Sequence, residues 1–198
     1  MQSIDEARLE TDPDYRFRYL AEFVGFTAAD QAALQAAAPI LGPAIPELVG
    51  RTYEKLLAYD ATARHFVPRQ SGLAAGPAAG TAALSLDHPN VQFRREHLSR
   101  WFQQILGRSF DGRMVLYLDM VGKIHTPAAG NAEIDVPLVQ MNALMGLISD
   151  IVADCVGSAG LDPATTLATL RAFQKFFWIQ ADFIARHYAV RGTPAAQA

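Results

Sequence analysis

Every long apolar pattern in this chain repeats at intervals of three or four residues, and no segment alternates with period two over a useful length. Such intervals put side chains on one face of an α-helix, which must then be buried against another element. Ile45, Leu48, Val49, Tyr53, Leu56 and Leu57 make one such face, and Val91, Leu98, Trp101, Phe102 and Ile105 a second. Met114, Leu118, Val121 and His125 make a third, and a phenylalanine-rich pattern from Leu167 to Tyr188 a fourth. A tight hairpin needs an Asn-Gly or Asp-Gly turn between alternating runs. The sole Asp-Gly, Asp111-Gly112, lies between two helical patterns. The spacing predicts an all-α fold.

Capping residues and prolines divide these patterns. Thr27 is placed as an N-cap with Asp30 three residues on, ahead of an alanine-rich stretch 28–38 that Pro39 should end. Pro43 and Pro46 fit a helix start near 43–46. Asp60 opens a short turn through Phe66, and 68–83 (PRQSGLAAGPAAGTAA) reads as a loop. Asp87-His88-Pro89 starts a helix to about Leu106, Asp111 caps one over 112–125, and Thr126-Pro127 stops it. The segment 136–157 is apolar nearly all round, which predicts a central helix; Asp162-Pro163 opens the last one. Residues 1–26 read as an extension whose aromatic cluster (Tyr15, Phe17, Tyr19, Phe23, Phe26) packs onto the body. A single domain over 1–198 results, with its core at 27–190 and a tail at 191–198.

Several function classes lack their residues. The net charge is −3, from 17 Lys+Arg against 20 Asp+Glu, with no basic run to meet a nucleic acid. One cysteine, Cys155, precludes an internal disulfide or a thiolate-rich metal site and reads as an inert buried thiol. No stretch reaches the roughly 18 to 20 uninterrupted apolar residues of a membrane span, and Asp5 and Glu6 stand where a secretory leader is basic. A cytoplasmic protein with no membrane partner is expected. Phosphate-loop, zinc-protease, nucleophile-elbow and EF-hand motifs are missing.

Chemistry therefore falls to a few side chains. Of 5 histidines, His65, His88 and His187 lie near helix ends, and His97, beside Glu96 and Arg95, reads as part of a solvated face. His125 continues a buried stripe, as a core histidine or as a ligand. No carboxylate or second histidine shares that stripe, so a carboxylate–histidine metal site lacks a partner there. A lone neutral imidazole in an apolar pocket suits haem, whose macrocycle supplies the other four nitrogens. Tyr53 points inward from its helix, so its hydroxyl needs a partner: a backbone carbonyl or a bound ligand.

The ordered set "RTYEKLLAYDATARHF" (51–66), "RREHLSRW" (94–101), "GRSFDGRMVLYLDMVGKIHT" (107–126) and "DVPL" (135–138) resembles the protoglobin and globin-coupled-sensor branch of the globins. The resemblance implies a globin fold with haem b between the helices of 89–106 and 112–125. In it His125, within V-G-x-x-H, is the proximal ligand and Tyr53 the distal tyrosine. Thr52 stands where archaeal members have tryptophan, and Leu98 and Leu147 where they have phenylalanine. These smaller residues, with Phe102 and Val121 around the cofactor, imply a roomier or differently shaped pocket. Arg94, Arg95 or Arg100 would meet the haem propionates. The implied function is reversible binding of diatomic gases (O2, CO, NO) for sensing, storage or detoxification. The alternatives are a haem enzyme acting on nitric oxide, nitrite or peroxide, or a haem-free signalling module. The resemblance also implies a homodimer through the last two helices. No output domain follows the last helix, so a stand-alone protein is expected, and any reductase or signalling partner would be a separate chain.

Overall fold

Why the chain is helical throughout is visible at its helix starts. In a computed structural model that describes residues 1–189, the side chain of Asp5 accepts the amide of Arg8 and opens α1 (Glu6–Thr11). Asp12 does the same for α2 (Pro13–Val24) through Tyr15. Thr27 precedes α3 (Ala28–Ala36), and its N–H donates to the Asp30 carboxylate at 2.8 Å. α4 (Ala38–Leu57) and the single turn α5 (Asp60–Ala63) follow. His88 Nδ1 accepts the Asn90 amide at the head of α6 (Pro89–Gly107), and Asp111 accepts two amides at the head of α7 (Gly112–Lys123). α8 (Leu138–Gly157) and α9 (Pro163–Ala189) complete the order, with no strand among the described residues. The expected tail 191–198 lies outside those residues.

Two expectations are corrected here. α4 starts at Ala38, with Pro39 in its first turn, and runs through Pro43 and Pro46. The amides of Ile40 and Leu41 already bond to the Ala37 carbonyl, so the helix is nucleated before either internal proline. Burial of Leu41, Ile45, Leu48 and Val49 then outweighs the two missing donors. α8, expected to be central, is buried on one side only. Met141, Met145, Ile148, Ile151, Val152 and Val156 face α4 and α9, while Val139 is 68% exposed. α8 has the length and hydropathy to cross a membrane by composition, but that buried face is occupied within the bundle.

The extension is helical and docks on the far end of the chain. α2 packs on α7 and α9. Phe17 and Phe26 are buried around Phe110, whose ring also meets Phe176 edge-on at 5.5 Å, whereas Phe23 is 78% exposed and takes no part. Arg16 holds Asp182 with two bonds of 2.5 and 2.9 Å, and Lys175 reaches both Asp30 and the Gly25 carbonyl at 2.7 Å.

Two devices fix how α6, α7 and α9 meet. The Trp101 indole donates to Gln180 Oε1 at 3.1 Å, and Gln180 Nε2 donates to the Leu118 carbonyl at 3.2 Å. This buried chain ties the three helices with every member satisfied. One turn later Gly122 lies against α9 so closely that a Cβ there would stand 2.5 Å from the Phe183 carbonyl oxygen and 2.9 Å from Ile184 Cα. Those obstacles are backbone and cannot swing aside. Gly146 of α8, by contrast, has open space on the side where a methyl would stand, with nothing within 4 Å. We expect Gly122→Ala to lower the free energy of unfolding by about 1–3 kcal/mol or more. Gly146→Ala should raise it by roughly 0.5–1 kcal/mol. Urea denaturation followed by helical circular dichroism measures both, and equal effects would remove the close crossing.

Candidate functional site

His125 sits two residues beyond α7, where the helix gives way to an extended Thr126. Its backbone is bracketed: its amide faces the Gly122 carbonyl, and its carbonyl accepts the Val136 amide at 2.9 Å. Tyr188 of α9 donates its hydroxyl to the Val136 carbonyl at 2.6 Å. The ring is oriented as tightly, with Nδ1 2.7 Å from the Val121 carbonyl oxygen. A carbonyl can only accept, so Nδ1 carries the proton and Nε2 keeps its lone pair. Burial, then the Arg94 charge, pushes the His125 pKa down to about 4. The imidazole is therefore neutral at ordinary pH.

The surface that His125 leaves uncovered faces a cavity of about 260 Å³ between α4, α6, α7, α8 and α9. A smaller space of about 70 Å³ adjoins it and shares Tyr53, Leu56, Arg94, His125, Met141 and Leu144. Apolar side chains such as Leu98, Val121, Met145, Ile148 and Ile184 form most of the walls. Among the described residues no aspartate or glutamate lines either space. Tyr53 is buried beside Phe66, and burial pushes its pKa up, so the hydroxyl remains a donor. Among the described residues that hydroxyl has no hydrogen-bond partner.

The residues expected at the site divide into two sets. Tyr53, Leu98, Val121 and His125 border the cavity together. Phe102, Thr52 and Leu147 are not among its walls. Phe102 is buried edge-on against Trp101 at 5.1 Å, Thr52 turns its hydroxyl to the Leu48 carbonyl at 2.8 Å, and Leu147 packs against the rim of the core. The helices of 89–106 and 112–125 both contribute walls, joined by α4, α8 and α9.

Three further residues reach the cavity. His97, expected on a solvated face, lines the larger space. Its ring meets Phe93 at 4.4 Å, and its Nδ1 is buried without a partner. Burial, then Arg94 and Arg100, lowers its pKa. His65 lines the smaller space with Nε2 likewise buried and unbonded. Arg94 borders both. The sequence signal was there: Arg94, His97, Leu98 and Trp101 follow at helical spacing on the face that bears Ile105. Cys155, expected buried, is partly exposed, and His187 bonds through Nε2 to Asp119 Oδ1 at 3.0 Å.

This donor set has one clear chemical capacity. No cluster of three or more histidines, cysteines or carboxylates able to hold a bare metal ion occurs among the described residues. One oriented, neutral imidazole nitrogen facing an apolar space can serve a metal whose remaining ligands arrive with a cofactor. The residues present fit haem on those terms.

The Protoglobin family model matches residues 13–192 of the chain. No curated protein matches it.

The low His125 pKa has a consequence for the ligand-free protein. Below its ordinary value of 6.5 the unfolded chain takes up a proton that the folded chain refuses, down to about 4. Stability should fall as pH drops through that window, by on the order of 3 kcal/mol from this residue. Unfolding free energies of wild type and His125→Gln across pH 4–7 isolate the contribution. Parallel curves would show that the imidazole is not desolvated.

Proposed function

The chain belongs to the protoglobin family, and on that premise we propose that it holds haem b through His125 and reversibly binds diatomic gases. The family carries a globin-type haem-binding domain. The observation that supports the assignment of His125 is its fixed tautomer: Nδ1–H donates to Val121, leaving Nε2 free toward an apolar, carboxylate-free cavity. Bound haem supplies an exchangeable coordination position, which is the chemistry that small gases require.

The chain's own residues supply the rest. The Val121 carbonyl orients the His125 ring and strengthens Nε2 as a donor. The bracket of Val136 and Tyr188 holds its backbone. Tyr53 offers a protonated hydroxyl in surroundings where a hydrogen bond is worth more than in water. Leu98, Met145 and Ile148 exclude water. Arg100 is exposed and borders the cavity, in a position to meet a propionate. Leu167 and Trp178 on α9, 57% and 64% exposed, would form the face for a second copy. Binding of this kind serves storage, sensing or detoxification alike.

The wild type reconstituted with haem should show a Soret band that shifts with carbon monoxide after reduction, and His125→Ala should lose the haem or the normal spectrum. A wild type that stays colourless overturns the reading. Light scattering at micromolar protein should give a dimeric mass, converted to a monomeric one by Trp178→Asp; a monomeric wild type would refute the dimer.

A further inference from the structure

Arg94 is a fixed cation on the wall of both cavity spaces, and among the described residues neither space has a carboxylate. Among the described residues it makes no ion pair, whereas Arg16, Arg51 and Arg186 each hold an aspartate. Its bond there runs from Nε to Gln70 Oε1 at 2.5 Å. Gln70 is fully buried and is itself anchored through Nε2 to the Pro68 carbonyl at 2.7 Å. The guanidinium is thus held by its inner nitrogen, and its two terminal nitrogens are left without a protein acceptor. Burial opposes the charge, and the nearby Tyr53 interacts with it. The Tyr53 hydroxyl, on the same two walls, also lacks an acceptor.

Arg94 is partly buried, and a partly desolvated cation is favoured by a group of opposite charge beside it. Here two donors border a largely apolar space to which the described residues bring no carboxylate, and a charged donor binds an anion more strongly than a neutral one. Arg100 differs: it is exposed, where a carboxylate of a larger group would remain in contact with water. The geometry points to a receiving site for a small anion at Arg94 and Tyr53, which makes the ferric haem protein select azide, fluoride or nitrite over neutral ligands. This rests on the haem reading above.

The test titrates haem-reconstituted ferric wild type, Arg94→Met, Arg94→Lys and Tyr53→Phe with azide, fluoride and imidazole, following the Soret band. Haem retention is measured alongside, by transfer to an excess of a haem-accepting apoprotein. Arg94→Met should weaken azide and fluoride by about tenfold or more, and Tyr53→Phe by roughly three- to tenfold. Arg94→Lys should restore most of the anion affinity, with imidazole changing by less than about threefold throughout. Unchanged anion affinities in Arg94→Met overturn the proposal. So does a loss of haem retention with anion affinity intact, which would make Arg94 a clamp for a propionate. If Arg94→Met does not fold, Arg94→Gln decides the same comparison. A wild type without a Soret band overturns the haem reading and this proposal with it, whereas a normal Soret band with Arg94-independent affinities overturns this proposal alone.

Discussion

The backbone-to-backbone crossing of α7 and α9 at Gly122 is the contact on which the site depends. Gly122 carries no side chain of its own into the crossing, so the backbone of Phe183 and Ile184 and the His187 ring set the separation of the two helices. His125 is three residues further along, so its depth in the bundle follows from that separation. α9 then contributes to the same neighbourhood twice more, through His187 on Asp119 and Tyr188 on the carbonyl of Val136. A larger residue at 122 would therefore displace the imidazole as well as cost stability.

Around this crossing the buried polar groups follow two regimes. Trp101, Gln180 and the Leu118 carbonyl satisfy one another and hold three helices in register. The Tyr53 hydroxyl and the outer nitrogens of Arg94 have no hydrogen-bond partner among the described residues, and His97 Nδ1 is buried and unbonded; all three residues border one cavity, whereas the unbonded Asn90 Oδ1 and Arg95 Nε lie off its walls. An unmatched polar group is expensive in proportion to its burial. Those on the walls of the cavity bear on what can enter it.

Much of this was legible in the sequence, because helix periodicity and caps are local. Asp111 and His88 start helices where Asp111 and Asp87-His88-Pro89 predict them, whereas the helices of the extension, capped by Asp5 and Asp12, were not expected. The His125 stripe was readable for the same reason. What escaped depended on distant packing. Pro43 and Pro46 are helix breakers by local rules, and only the burial of their neighbours keeps α4 continuous. The apolar circumference of α8 gave no direction, since composition cannot say which side meets α4 and α9. His97 stood beside Glu96 and Arg95, and that local charge masked its place on the Arg94–Trp101 face. Phe102, Thr52 and Leu147 are expected around a haem by resemblance; they do not line the cavity, and Phe102 meets Trp101, Thr52 the Leu48 carbonyl and Leu147 the rim of the core.

The docking of α2 also orders events in time. Arg16 and Asp182 are separated by 166 positions, and Lys175 and the Gly25 carbonyl by 150. A chain made from its N-terminus presents α2 long before either partner exists. The aromatic cluster is likewise completed late: Phe17 and Phe26 pack on Phe110, whose remaining neighbour Phe176 lies in α9. Contacts of such high sequence separation close slowly. α2 is thus synthesised well before it is fully seated, and the nascent chain carries part of an aromatic face in need of shielding until α9 has emerged.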